Sequence, residues 1–261
     1  MQIIKNNFDY NNNEVTPNTI VCGDCLEVMP KIKEHSVDLI LCDLTYGRTR
    51  NKWDSVIPFD KLWENYKRVI KPNGAIVLFC DGMFMAELMV SNKKMWKYNI
   101  VWDKVLTSGF LNANKMPLRS HEEIAVFYEK PPTYNPQKFK GQPNHSKGTS
   151  QKNTNNNYGK FEIVDNREEL GDMKHPRSIW TFSKPHPSKM VHPTEKPIDC
   201  IEYIIKTYTN EGDLVLDNCM GSGTTGVGCV NLNRKFIGIE MDEKFFEISL
   251  NRIMEVKECC K

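Results

Sequence analysis

No run in this 261-residue sequence is apolar for as long as a bilayer-spanning helix requires, so a membrane protein is not expected. Charge of one sign is scarce too. Lys and Arg number 35 against 33 Asp and Glu, and the net charge of +2 excludes no class of partner. The opening MQIIKNNFDYNNNE lacks a continuous apolar core and a small-residue cleavage site, so no secretory signal is read. A second CxxC is missing beside Cys22-Gly-Asp-Cys25, which argues against a zinc finger. The nine cysteines are odd in number and scattered, as small buried thiols in a reducing cytosol would be. No metal site is expected, because nothing completes a ligand set around His121-Glu122 or His192.

What is present alternates. TIVCGD (19–24), VDLILCDL (37–44), AIVLFC (75–80), KYNIVWDK (97–104), EIAVFYEK (123–130), DLVLDN (213–218) and KFIGIE (235–240) read as strands. Between them, CLEVMPKIK, FDKLWENYKRVIK (59–71, closed by Pro72-Asn73-Gly74), MFMAELMVSN, PIDCIEYIIKTYT (197–209), TGVGCVNLN and DEKFFEISLNRIMEVK, capped by Asp242, read as helices. The rhythm predicts an α/β fold with a doubly wound, mostly parallel sheet, its ligands held beyond the carboxyl ends of the strands. Two segments depart from it. Residues 1–18 are polar and Asn-rich and read as a loose arm. Residues 131–190 are poor in aliphatics; from Pro131 to Lys189 ten basic residues face five acidic ones. Composition alone leaves that stretch open between a solvated loop and a surface for nucleic-acid phosphates.

GSGTTG (221–226) follows a strand and opens a helix, and Glu240 ends the next strand. Glycines let a ligand approach the backbone, helix N-terminal amides face a negative group, and a strand-end carboxylate accepts from ribose hydroxyls. No Lys-Ser or Lys-Thr follows the glycines, which argues against a P-loop. A nicotinamide dinucleotide and an oxidoreductase stay open on this motif alone. Too little chain follows Glu240 to complete a dinucleotide fold, so the remaining strands must come from the N-terminal half.

LILCDLTYG (39–47) places Asp43 and Tyr46 at the end of an apolar run. With VLDNCMGSGTT, HPTEKP (192–197) and RSHEEIAVFYEK (119–130), it resembles the motif set of the β-class amino DNA methyltransferases. The likeness covers about residues 19–130 and 175–256. It implies a Rossmann-like fold with permuted motif order. Residues 19–130 would form the catalytic half, 131–190 a target-recognition insertion and 191–261 the cofactor half.

The implied activity is transfer of a methyl group from S-adenosylmethionine to adenine N6 in double-stranded DNA. Asp at the head of the catalytic motif favours adenine over cytosine N4. An inactive DNA-binding relative is the other alternative. The resemblance assigns catalysis to Asp43, Leu44, Thr45 and Tyr46. It assigns the cofactor to Asp24, Thr194, Lys196, Asp217, Gly221, Ser222, Gly223, Thr224 and Glu240. Asp24 would meet the adenine ring, Asp217 and the glycine turn the methionine portion, Thr194 and Lys196 its carboxylate, and Glu240 the ribose. Tyr46 would stack on a base flipped out of the duplex, and Asp43 with the Leu44 carbonyl would hold its amino group. No Pro-Cys occurs, so the nucleophile of a covalent cytosine-C5 mechanism is missing. The sequence departs from the family where a double proline becomes Leu44-Thr45 and Pro-Phe becomes Asn218-Cys219. A cytoplasmic location is expected; a homodimer and a restriction endonuclease partner stay open.

Overall fold

The computed structural model describes residues 1–5, 14–47, 55–142, 172–184 and 195–259. In chain order these hold β1 (Gln2–Ile4), β2 (Thr19–Cys22), α1 (Cys25–Val28), β3 (Val37–Asp43), α2 (Phe59–Val69) and β4 (Ile70–Cys80). Next come α3 (Gly82–Ser91), β5 (Trp96–Ser108), β6 (Arg119–Phe127), β7 (Phe139–Lys140), β8 (Met173–Lys174) and β9 (Ile179–Thr181). The chain then forms α4 (Ile198–Tyr208), β10 (Leu214–Asp217), α5 (Thr224–Asn231), β11 (Lys235–Glu240) and α6 (Glu243–Cys259). No described helix is long and apolar enough to cross a membrane.

Nine strands make one sheet in the order β1-β2-β11-β10-β3-β4-β6-β5-β9. Pairing is parallel except where β6 runs against β4 and β5. This is the doubly wound, mostly parallel sheet that the alternation predicts. Strand parity explains its two layers, since successive side chains point to opposite faces. Ile40 and Cys42 of β3 enter one core with Ile76 and Leu78 of β4, under Leu62 and Tyr66 of α2 and Leu88 of α3. Leu39 and Leu41 enter the other with Val77 and Phe79, under Ile201 and Ile205 of α4, Val227 of α5 and Phe246 of α6. An unbroken apolar strand is therefore what a sheet covered on both faces needs.

Two expectations are corrected. Pro72-Asn73-Gly74 does not end a helix at Lys71: α2 stops at Val69 and β4 starts at once. Val37 pairs with Ile70 and Leu39 with Ala75, so the Pro-Asn-Gly stretch is a bulge inside the strand. Gly74 suits it, because a Cβ there would meet the Asp38 carbonyl at 2.9 Å. The arm is not loose throughout. Gln2–Ile4 adds a parallel edge strand to β2, and Val15 is buried with a bridge to Ile32. Residues 136–177 form a separate compact unit, whose described part is the antiparallel pair β7–β8. β9 belongs to the main sheet beside β5, anchored by buried Trp180, a single apolar anchor too short to show a period. Most of the insertion lies outside the described residues.

Candidate active site

Each parallel strand around the sheet centre ends in, or just before, an acid. β2 leads to Asp24, β3 ends at Asp43, β10 at Asp217 and β11 at Glu240. These carboxyl ends open into a cleft of about 340 Å³. Asp24, Asp43, Leu44, Thr45, Tyr46, Lys196, Asp217, Gly221, Ser222, Thr224 and Glu240 all line it. The acid of LILCDLTYG and the glycine turn thus face one space. Gly223 is not on the wall: at φ +80 it lies against α6, where an added Cβ would meet the Ser249 Cβ at 2.7 Å. Thr194 and His192 lie outside the described residues.

Both oxygens of the Asp43 carboxylate are engaged. The Tyr46 hydroxyl donates to Oδ1 at 2.9 Å, and the Lys196 ammonium donates to Oδ2 at 2.5 Å. Phe84 stacks on the Tyr46 ring with centroids 4.8 Å apart. Thr45 donates its hydroxyl to the Ser55 carbonyl, which ties the turn after β3 to the segment before α2. Lys196 is the residue that the resemblance assigns to the cofactor carboxylate, and its ammonium contacts Asp43. It also lies 3.4 Å from Glu122 Oε2 and 5.0 Å from the centroid of the Phe79 ring.

Sequence reasoning weighed Glu122 only beside His121 and gave it no role in the site. Its other oxygen meets Lys104 at 3.2 Å and Lys184 at 3.4 Å. Burial alone would raise its pKa; the pull of Lys196, Lys184 and Lys104 outweighs that and holds it at about 2. Burial likewise works against the charge on Lys196, and Asp43 and Glu122 reverse the effect, leaving its pKa raised. Parity could have found the cluster. Glu122 shares a strand face with buried Ile124 and Val126, and Lys104 shares one with buried Ile100 and Trp102. Charges on a buried face require partners.

Also on the wall, Asp24 caps α1 by accepting from Leu26 N at 2.8 Å. Glu240 accepts from Gly221 N at 2.7 Å and Asp242 N at 2.8 Å, and burial raises its pKa. Asp217 is buried, and desolvation pushes it up to about 7 against hydrogen bonds from Thr225, Cys219 N and Cys42. The departure Asn218-Cys219 has a structural use: the buried Tyr66 hydroxyl donates to Asn218 Oδ1 at 2.6 Å. Arg252 of α6 fixes the glycine turn, donating to the Ser222 carbonyl at 2.8 Å and pairing with Glu195 at 2.6 Å. Among the described residues no group of His, Cys, Asp and Glu could hold a metal ion.

Known proteins resemble this chain in sequence and fold. The family model described as DNA methylase, for N6 and N4 methyltransferases, matches residues 37–251. The type II methyltransferase M.HpaI of Haemophilus parainfluenzae is 26% identical over 255 residues, covering 90% of this chain and 73% of that protein. The DNA adenine methyltransferase YhdJ of Escherichia coli (strain K12) is 29% identical, covering 90% of this chain and 82% of its own. The structure of M1.HpyAVI in complex with SAM superposes with a TM-score of 0.59 at 25% identity, over 90% of this chain and 98% of that one. The family-model match spans most of the chain, and the chain belongs to the DNA methylase family of N6 and N4 methyltransferases.

Proposed function

We propose that this DNA methylase transfers a methyl group from S-adenosylmethionine to the N6 amino group of adenine in double-stranded DNA. The observation that carries the reading is the cleft itself, a single space lined by Asp43 together with Asp217, the glycine turn and Glu240. The wall fits such a cofactor. Asp217 is buried at a pKa of about 7, so a cation beside it would favour its ionised form. Glu240 is fixed by two backbone amides as an acceptor for hydroxyls. In this reading Asp217, Gly221, Ser222 and Thr224 hold the methionine portion, Glu240 the ribose and Asp24 the adenine ring. S-adenosylmethionine supplies an electrophilic methyl group on a cationic sulfur.

The protein prepares the nucleophile. An exocyclic amino nitrogen is weak because its lone pair is delocalised into the ring. Accepting its two N–H bonds at the Asp43 carboxylate and the Leu44 carbonyl draws it toward tetrahedral geometry. The same acceptors stabilise the positive charge that grows on nitrogen. Tyr46 holds the flipped base, and stacking of that kind is worth roughly 1–3 kcal/mol. Residues 131–190, with their basic excess, supply target recognition. Action in the cytoplasm, and a restriction endonuclease partner, belong to the same proposal. The test is transfer of labelled methyl to DNA, followed by digestion and identification of the methylated nucleoside. N6-methyladenine is expected, and Asp43→Ala lowers kcat by about 100-fold or more. Equal rates for wild type and variant would remove Asp43 from the chemistry.

A further inference from the structure

Asp43 and Lys196 lie in contact on the wall of the base-side cleft, one an acceptor and the other a donor. We propose that Lys196 is a base-reading residue: beside Asp43 it donates a hydrogen bond to the ring nitrogen that adjoins the target amino group. This rests on the methyl-transfer reading above and adds to it a determinant of which base is accepted.

The chemistry of the pair selects. Adenine presents an amino donor next to the N1 acceptor, and cytosine presents an amino donor next to the N3 acceptor. An adjacent carboxylate and ammonium are complementary to that edge. Guanine carries a ring N–H beside its amino group, so a donor would meet a donor. Thymine carries a ring N–H and no amino group. A buried donor or acceptor left unmatched costs more than a made hydrogen bond gains, so rejection is stronger than attraction.

Two features keep Lys196 suited to this task. An ammonium has three protons, and the acids at 2.5 Å and 3.4 Å account for two. Its side chain is only 8% exposed and lies over the Phe79 ring, so its reach is fixed by packing. Glu122 in turn is held ionised by Lys104 and Lys184, which anchors the far side of Lys196. Lys196 can then donate and cannot accept.

The experiment first finds the target site by sequencing modified bases in DNA from cells expressing the protein. Synthetic duplexes then carry either adenine or 1-deazaadenine at that position, the second lacking the N1 acceptor. Wild type is expected to prefer adenine by about 10- to 100-fold in kcat/KM. Lys196→Met, slower on both, should lose that preference, so the discrimination ratio of wild type to variant is about 10 or more. If Lys196 serves only to hold Asp43, both enzymes discriminate alike; a ratio near one overturns the proposal. Lys196→Leu, which also lacks a donor, takes the place of Lys196→Met if circular dichroism shows that variant unfolded. Failure of the adenine reading is seen separately, at the sequencing step. Modified cytosine moves the same ratio test to 3-deazacytosine. No modified base at all overturns methyl transfer and this role together.

Discussion

Asp217 carries the cost of a carboxyl group placed for a ligand. Desolvation raises its pKa from 3.8 to about 7 in the folded protein. The folded state therefore binds the proton more tightly than the unfolded chain does. Its contribution to stability is full below about pH 4 and is lost as pH rises toward 7. Asp217→Asn removes that slope. The variant should melt at a higher temperature than wild type at pH 8, by an amount equivalent to a few kcal/mol, and the gap should close near pH 4. The same variant should bind S-adenosylmethionine more weakly at pH 8, which calorimetry would read. A variant no more stable than wild type at pH 8 would show that the carboxyl is not strained by burial.

At the scale of elements, the glycine turn is shaped by the helix behind it as much as by the cleft before it. Gly221 and Gly223 have φ of +52 and +80, a region that L side chains rarely adopt. For Gly223 the conformation is joined by close packing on Ser249 and Ile253 of α6. Gly223→Ala is expected to cost about 2 kcal/mol or more, measured by urea denaturation, although residue 223 is not on the cleft wall. The glycine motif announces a tight turn but does not separate its two duties. The same limit explains the Pro-Asn-Gly stretch: Pro72 and Gly74 signal an interruption, and whether a helix stops or a strand bulges is decided by register with β3. Strand and helix centres were legible because burial on one or both faces leaves a period in the sequence. The long outer part of the β5–β6 hairpin and the three-residue edge strands β1 and β9 leave too weak a period to be read.

For the whole molecule, sheet order separates the chain's ends from their sequence neighbours. β10 and β11, from the last fifth of the chain, sit between β2 and β3 from the first. Deleting residues 210–261 would strip β2 and β3 of those neighbours and uncover the core beneath α5 and α6. The remaining 1–209 fragment is expected to show no cooperative unfolding transition by circular dichroism; a sharp transition would mean that the two halves fold independently. The sequence by itself determined the alternation of elements, the acids at strand ends and the glycine turn, because burial periodicity and backbone freedom are written in neighbouring residues. Only the tertiary structure decided that Lys196 meets Asp43 across 153 positions, or that Glu122 gathers Lys104, Lys184 and Lys196. Attraction between charges depends on distance in space and on the solvent excluded around them, and the order of strands in the sheet sets both.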